Sequence, residues 1–331
     1  MSARVVLLGG TGVISSAVAA RAVAAGLDVT VVNRGRTTTR PAIAGVRTLH
    51  ADVHNPAEFA EVLGSEHFDA AASFVGYSPV DVSAELSVLA DRVDQYVFLS
   101  TCSVYAHPAP LLPIRESSPR RAGLFDYPAN KILCENTVEA AYRDGLPTTI
   151  VRPSHVYDRT TLPVLSGWTA VDRFRAGKPV VVHGDGTSLW NIMHADDFAA
   201  AFVPLLANQR AVGEQIHITS ETALTWDQIH RTLARAAGVS TPSLVHKSSA
   251  DIGREVDWMD LVLVEDFRHT VLYDNSRLQR LVPGFTEQRS LLDGLRESVA
   301  WFDADPSRSR TDPHIDAAFD RLSATQLLPT S

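Results

Sequence analysis

Val5-Val6-Leu7-Leu8-Gly9-Gly10-Thr11-Gly12 is an apolar run closed by a glycine turn, and an alanine-rich stretch of helical pattern, Ala17 to Ala25, follows it. Strand, glycine turn and helix in that order open a nucleotide-binding βαβ unit, whose helix N-terminus faces a pyrophosphate. The next apolar run, Asp28 to Val32, falls where the second parallel strand belongs. Ser15 stands where a third glycine is expected. It is small, so the helix can still approach the strand, though a little less closely.

Working outward, Asp52-Val53 precedes a helix over Pro56 to Leu63, a strand around Ala70 to Val75, a helix from about Val82 to Arg92 and a strand over Gln95 to Ser100. Thr148 to Arg152 reads as a further strand, closed by Pro153. Strands and helices by turns predict an α/β fold, a doubly wound (Rossmann) parallel sheet, with ligands beyond the carboxyl ends of its strands. After Pro153 the regular alternation fails. Arg159 to Leu165 is loop-like, and short strands are expected at Val180 to Val182, before the Gly184-Asp185-Gly186 turn, and at Ile216 to Thr219. Helices follow at about Trp226 to Ala237 and Leu291 to Phe302. The expected division is a dinucleotide-binding domain over 1–155, with segments of about 190–220 returning to it, and a smaller C-terminal substrate-covering region over 156–331. Only the last few residues read as disordered.

Asn33-Arg34-Gly35-Arg36, directly after the second strand, sets the adenosine end. A site that prefers NAD usually has a carboxylate there to bond the ribose hydroxyls. Two guanidiniums and no carboxylate favour NADP(H), with NAD(H) as the alternative.

Tyr127-Pro128-Ala129-Asn130-Lys131 is the candidate for chemistry. Pro128 places Tyr127 at the mouth of a helix running to about Arg143, and a spacing of four puts phenol and ammonium on one side. A phenol with a pKa of about 10 is a poor acid-base group at neutral pH, and a nearby ammonium is expected to lower that value. Such a pair can pass a proton to or from a substrate hydroxyl while a hydride moves elsewhere.

At 331 residues, with 45% hydrophobic and 21% charged, the chain has the ordinary make-up of a soluble globular protein. A net charge of −8 without a basic run argues against a nucleic-acid surface. Cys102 and Cys134 offer no disulfide framework and no zinc spacing, so no metal is expected and a reducing cytoplasm is the inferred location. The first apolar run is too short for a signal core or a membrane span. The expected partner is a small-molecule substrate, and two copies could pair as a homodimer.

Taken together these landmarks resemble an extended short-chain dehydrogenase/reductase of the NAD-dependent epimerase/dehydratase group. The resemblance rests on Gly9-Gly10-Thr11-Gly12-Val13-Ile14, Asp52-Val53, Ser100-Thr101-Cys102-Ser103-Val104-Tyr105, Tyr127 with Lys131, and Arg152-Pro153-Ser154-His155-Val156-Tyr157. His194-Ala195-Asp196-Asp197-Phe198-Ala199 and Tyr273-Asp274-Asn275-Ser276 extend it along nearly the whole chain. It implies that Tyr127 is the acid-base phenol, that Lys131 tunes it while holding the nicotinamide ribose, that Thr101 bonds the substrate oxygen and that Asp52 bonds the adenine amino group. The glycine-loop residues, with Thr11, Val13, Ile14 and Val53, would contact the cofactor.

Departures from the family pattern concern the substrate. Cys102 and Ser103 stand where sugar-nucleotide 4,6-dehydratases have Asp and Glu, which disfavours that reaction. His155 replaces an Asn, and Trp190 an Arg, of the diphosphate grip, although Arg159 or Arg173 could restore a clamp. Asp196-Asp197 reads as structural, and the mixed-sign run Arg254 to Asp266 as a solvated face. The expected activity is hydride transfer at a secondary alcohol or ketone of a sugar-like molecule. The alternatives are a nucleotide-sugar 4-epimerase or reductase and a non-catalytic regulatory or RNA-binding relative, the last suggested by the Asn-Arg-Gly after the second strand.

Overall fold

A computed structural model describes residues 2–36, 40–308 and 310–324; the expected disorder of the last few residues lies outside these. Strand β1 (Arg4–Leu8) leads through the glycine turn into α1 (Val13–Ala24) and β2 (Asp28–Asn33). Then come β3 (Val46–His50), α2 (Pro56–Leu63), β4 (Ala70–Ser73), α3 (Pro79–Leu89), β5 (Tyr96–Leu99), α4 (Asp126–Arg143) and β6 (Thr148–Pro153). Beyond these lie β7 (His155–Tyr157), α5 (Trp168–Arg175), β8 (Val180–His183), β9 (Leu189–His194), α6 (Ala195–Phe202) and β10 (Gln215–Ile218). The chain closes with β11 (Ala223–Thr225), α7 (Trp226–Ala236), β12 (Leu244–Lys247), α8 (Ser249–Glu255), α9 (Asp257–Val262), α10 (Ser276–Leu281), α11 (Leu291–Asp303) and α12 (Pro313–Ala324).

Seven strands form one parallel sheet in the order β3-β2-β1-β4-β5-β6-β10. Because side chains alternate along a strand, Val5 and Leu7 of β1 pack with α1 and α6 on one face, while Val6 and Leu8 pack with Phe59 of α2 and Val82 of α3 on the other. Strands covered on both sides must be apolar throughout, which the run Val5 to Leu8 satisfies. The chain leaves β1 toward β2 on one side and later returns to β4 on the other. That reversal opens a crevice at the carboxyl ends of β1 and β4. A third core, built on Trp168, Trp190, Trp226 and Phe267, belongs to the covering region with its smaller sheets β11-β9-β7 and β12-β8.

Two expectations need correction. The third helix starts at Pro79 and ends at Leu89, because Ser78 and Asp81 cap each other reciprocally and Pro79 suits the first turn. The run Arg254 to Asp266 is not a solvated face. Its apolar side chains recur at helical spacing, so Val256, Met259 and Leu263 turn inward, and a π-helical turn over Leu263–Phe267 carries Asp266 in with them. Among the described residues, no helix is long and apolar enough to cross a membrane.

Candidate active site

The backbone leaves β1 through Gly9 and Gly10, at φ of +121° and +101°, a region closed to most side chains. A Cβ on Gly10 would lie 2.4 Å from Val31 Cγ1, so the strand beside it also requires glycine there. Ser15, the departure from a third glycine, is buried and accepts the Gly12 N–H on Oγ at 3.0 Å, which ties the loop to α1. No acidic side chain stands in the first turn of α1, so nothing there repels an anion.

Beside this loop is a cavity of about 350 Å³. Gly9, Thr11, Asn33, Arg34, Arg36, Asp52 and Val53, all singled out from the sequence for the cofactor, line it. Gly12, Val13, Ile14 and Lys131 are not in its wall. Arg34 and Arg36 are exposed, and neither pairs with a carboxylate among the described residues. Asn33 Oδ1 accepts the Gly35 N–H at 2.8 Å and fixes the turn that carries them. Asp52 Oδ1 accepts the His54 N–H at 3.1 Å. Sequence reasoning overlooked His54 and Asp81 in the same wall; buried Glu85, 3.4 Å from His54 Nε2, raises the His54 pKa against the effect of burial. A glycine cradle with no room for a Cβ, at the crevice of a doubly wound sheet and facing unpaired guanidiniums, fits a dinucleotide. Among the described residues, no group of three or more His, Cys, Asp or Glu side chains could hold a metal ion.

A second cavity, of about 250 Å³, opens beyond β5 and β6. It brings together Thr101, Tyr127, Cys102, Ser103, His155 and Trp190, all singled out from the sequence. Thr101 leaves the end of β5, and its Oγ1 accepts the Ser103 N–H at 3.2 Å. Tyr127 is the second residue of α4. As a residue it is 38% exposed, but burial of its hydroxyl end pushes the phenol up to about 12, with neighbouring Thr101 pulling the other way. Lys131, one turn further, is buried and donates from Nζ to Gly76 O at 2.9 Å and Leu99 O at 2.8 Å, over the Phe98 ring. Burial lowers its pKa to about 8. The expected lowering of the phenol by the ammonium is therefore not observed. The cation is committed to two carbonyls, and the apolar surroundings of the phenol dominate.

The Cys102 thiol is buried, donates to Arg152 O at 3.3 Å and is held well above its ordinary pKa, so it packs rather than reacts. Burial pushes His155 down to about 4, and its Nδ1 accepts from Trp190 Nε1 at 3.3 Å. It is therefore a neutral imidazole protonated on Nε2. The Trp190 ring packs 4.8 Å from that of Phe267. Ser103 donates to Asp266 Oδ2 at 2.7 Å, and this carboxylate in the cavity wall was missed as a solvated charge. The 3.6-residue recurrence of Val256, Met259, Leu263 and Phe267 is the signal that could have found it. Arg173 does not reach this cavity, because it pairs with Asp316 and Asp320 of α12, and Arg159 lines a separate one with Arg40 and Asp158. Asp196 pairs with Arg289, while buried Asp197 accepts the N–H groups of Gln288 and Arg289 at 3.0 Å each, a structural clamp.

A family model described as the NAD dependent epimerase/dehydratase family matches residues 5–219. The chain is 30% identical over 298 residues to 2'-dehydrokanamycin reductase of Streptomyces kanamyceticus, covering 86% of this chain and 80% of that protein. It is 25% identical over 243 residues to the chloroplast stem-loop binding protein of 41 kDa b of Arabidopsis thaliana, covering 71% of this chain and 59% of that one. Among solved structures, UDP-glucose 4-epimerase from Bifidobacterium longum in complex with NAD+ and UDP shares the fold. Its TM-score is 0.72 at 17% identity, over 93% of this chain and 100% of that one.

Proposed function

The chain belongs to the NAD dependent epimerase/dehydratase family, and from that membership we propose that it is a reductase acting on a ketone of a sugar or sugar-like molecule. The observation that carries this reading is that Thr101 and Tyr127 line the wall of one cavity, with Lys131 one helical turn further along α4. When bound, a nicotinamide dinucleotide supplies the hydride. Gly9, Thr11 and Gly12 would hold its pyrophosphate at the N-terminus of α1, with Val13 and Ile14 behind them, and Asp52 and Val53 would hold its adenine. Asn33 sets the turn from which Arg34 and Arg36 would grip a 2′-phosphate, so NADP(H) is the preferred form and NAD(H) the weaker one. Lys131 would hold the nicotinamide ribose.

At about 12 the Tyr127 phenol is protonated at neutral pH, which suits a donor. Its proton goes to the carbonyl oxygen as the carbonyl carbon gains the hydride, giving a secondary alcohol, and solvent reprotonates the phenolate. Thr101 orients the same oxygen. The name of the Streptomyces relative states a reduction, which favours this direction over a transient oxidation ending in epimerisation. A 4,6-dehydratase reaction is disfavoured, since Cys102 is buried and Ser103 is engaged by Asp266.

Among the described residues, no Lys or Arg lines the substrate cavity, so a diphosphate would find no cation there, against the nucleotide-sugar alternative. An RNA-binding role, suggested by the stem-loop binding relative, is opposed by the net charge of −8. The test follows nicotinamide absorbance with a panel of keto glycosides, beside calorimetry with UDP, GDP and dTDP. Turnover of keto glycosides without nucleotide binding is expected. Micromolar binding of a nucleotide, abolished by changing one arginine, would return the protein to nucleotide-sugar chemistry.

A further inference from the structure

The substrate cavity holds one carboxylate and no cation. Asp266 is 5% exposed and accepts a hydrogen bond from Ser103 on Oδ2. Among the described residues, no hydrogen bond reaches its Oδ1. His107 Nε2 lies 3.4 Å from that oxygen, but neither nitrogen of the His107 ring makes a hydrogen bond. Burial, then His269 and Arg121, hold His107 down at about 4, so it is neutral and no counter-ion. Arg121 lines the small recess behind, where Glu265 also lies, and donates to the His107 carbonyl. Tyr127, Cys102, Tyr273 and neutral His155 are the other titratable groups in the cavity wall, and none of these is cationic.

The carboxylate is also held in place. The π-helical turn that presents it is anchored at Phe267, whose carbonyl accepts from Trp226 Nε1 at 3.0 Å and from His183 Nε2 at 3.1 Å. Irregular turns of this kind recur at functional sites. Burial pushes Asp266 up to about 6, with only Ser103 pulling it down, so at neutral pH it is mainly ionised and uncompensated. A buried charge without a partner is costly, and a ligand cation relieves that cost.

Resting on the reductase reading, we propose that Asp266 is the counter-ion for a protonated amine of the substrate, so that the protein takes amine-bearing sugar ketones. Ser103 orients the carboxylate, His155 Nε2 and Thr101 serve the hydroxyls and the carbonyl, and Trp190 with Phe267 covers an apolar face of the ring.

The test measures binding to the full chain at neutral pH by calorimetry. The probes are the methyl glycosides of glucosamine, of its isomers with the amine elsewhere on the ring, and of glucose. One amino sugar is expected to bind roughly tenfold or more tightly than the glucoside, the scale of a hydrogen bond to a charged group. Asp266→Asn lowers amino-sugar affinity to that of the glucoside, with Tm held or raised because the unpartnered buried charge is gone, whereas Ser103→Ala, which keeps the charge, retains the advantage. The inference is overturned if no amino isomer outbinds the glucoside, or if Asp266→Asn weakens both classes alike. Binding is read without turnover, so Tyr127→Phe keeps the preference. A failed reductase reading leaves this result standing, and an active reductase with no amine preference removes the inference alone.

Discussion

Single side chains at the two cavities answer different questions. At the adenosine end, Arg34 and Arg36, without a carboxylate partner among the described residues, stand in a wall that also carries Asp52 and Asp81. A 2′-phosphate would gain charge-assisted contacts that a ribose hydroxyl cannot. NADPH is therefore expected to bind more tightly than NADH, and Arg34→Asp to reverse the order, as read by fluorescence titration of both cofactors. Equal affinity in the unaltered protein would end the claim. At the chemical end, Lys131 shows how far a side chain's environment can depart from its spacing. Four residues from Tyr127, it faces carbonyls contributed by Gly76 and by Leu99 at the end of β5.

Helix α4 carries both Tyr127 and Lys131, and what fixes it is the next turn but one. Glu135 and Arg152 are both fully buried and pair at 2.8 Å, joining α4 to β6. Ser100, just before Thr101, donates to the same carboxylate at 2.5 Å, and Arg152 donates to the Tyr105 hydroxyl at 2.6 Å. Burial works against ionising Glu135, but its bonds to Arg152 outweigh it and hold the carboxyl below the usual range. Glu135→Gln leaves a guanidinium without its counter-charge, so a loss of about 3 kcal/mol or more is expected by denaturant melts. A loss under about 1 kcal/mol, the scale of exposed pairs, would contradict this placement. None of this network was read from the sequence, because its members lie far apart along the chain. What was legible is local: the glycine turn, α2 to its observed ends, the Tyr127-Pro128 start of α4, and the strands of the main sheet with period-two or continuous burial. Strands of three or four residues such as β7, β11 and β12 carry too few side chains to show a period. Asp266 escaped because flanking charges masked the inward helical stripe that carries it.

Across the whole molecule, burial lowers the pKa of several histidines. His107, His155 and His183 are each pushed down to about 4 and His217 to about 3. Unfolded, they would take up protons near their ordinary value of about 6.5. Between that value and 4 the unfolded chain binds more protons, so stability falls as pH is lowered through this window. Asp266, raised to about 6, and His54 and Glu287, also raised, act in the opposite sense, but His194, His230 and His269 are lowered along with the four rings above. Tm is therefore expected to drop steeply on going from neutral pH to pH of about 5, and a flat profile would contradict the burial of these rings. The central claim, that two cavities serve one hydride transfer finished by a Tyr127 proton, is tested most directly by Tyr127→Phe under NADPH with a keto glycoside. The account predicts cofactor affinity nearly intact and turnover lower by about 100-fold or more, the scale of a lost general acid, with Lys131→Met impairing both. A fully active Tyr127→Phe protein would contradict it.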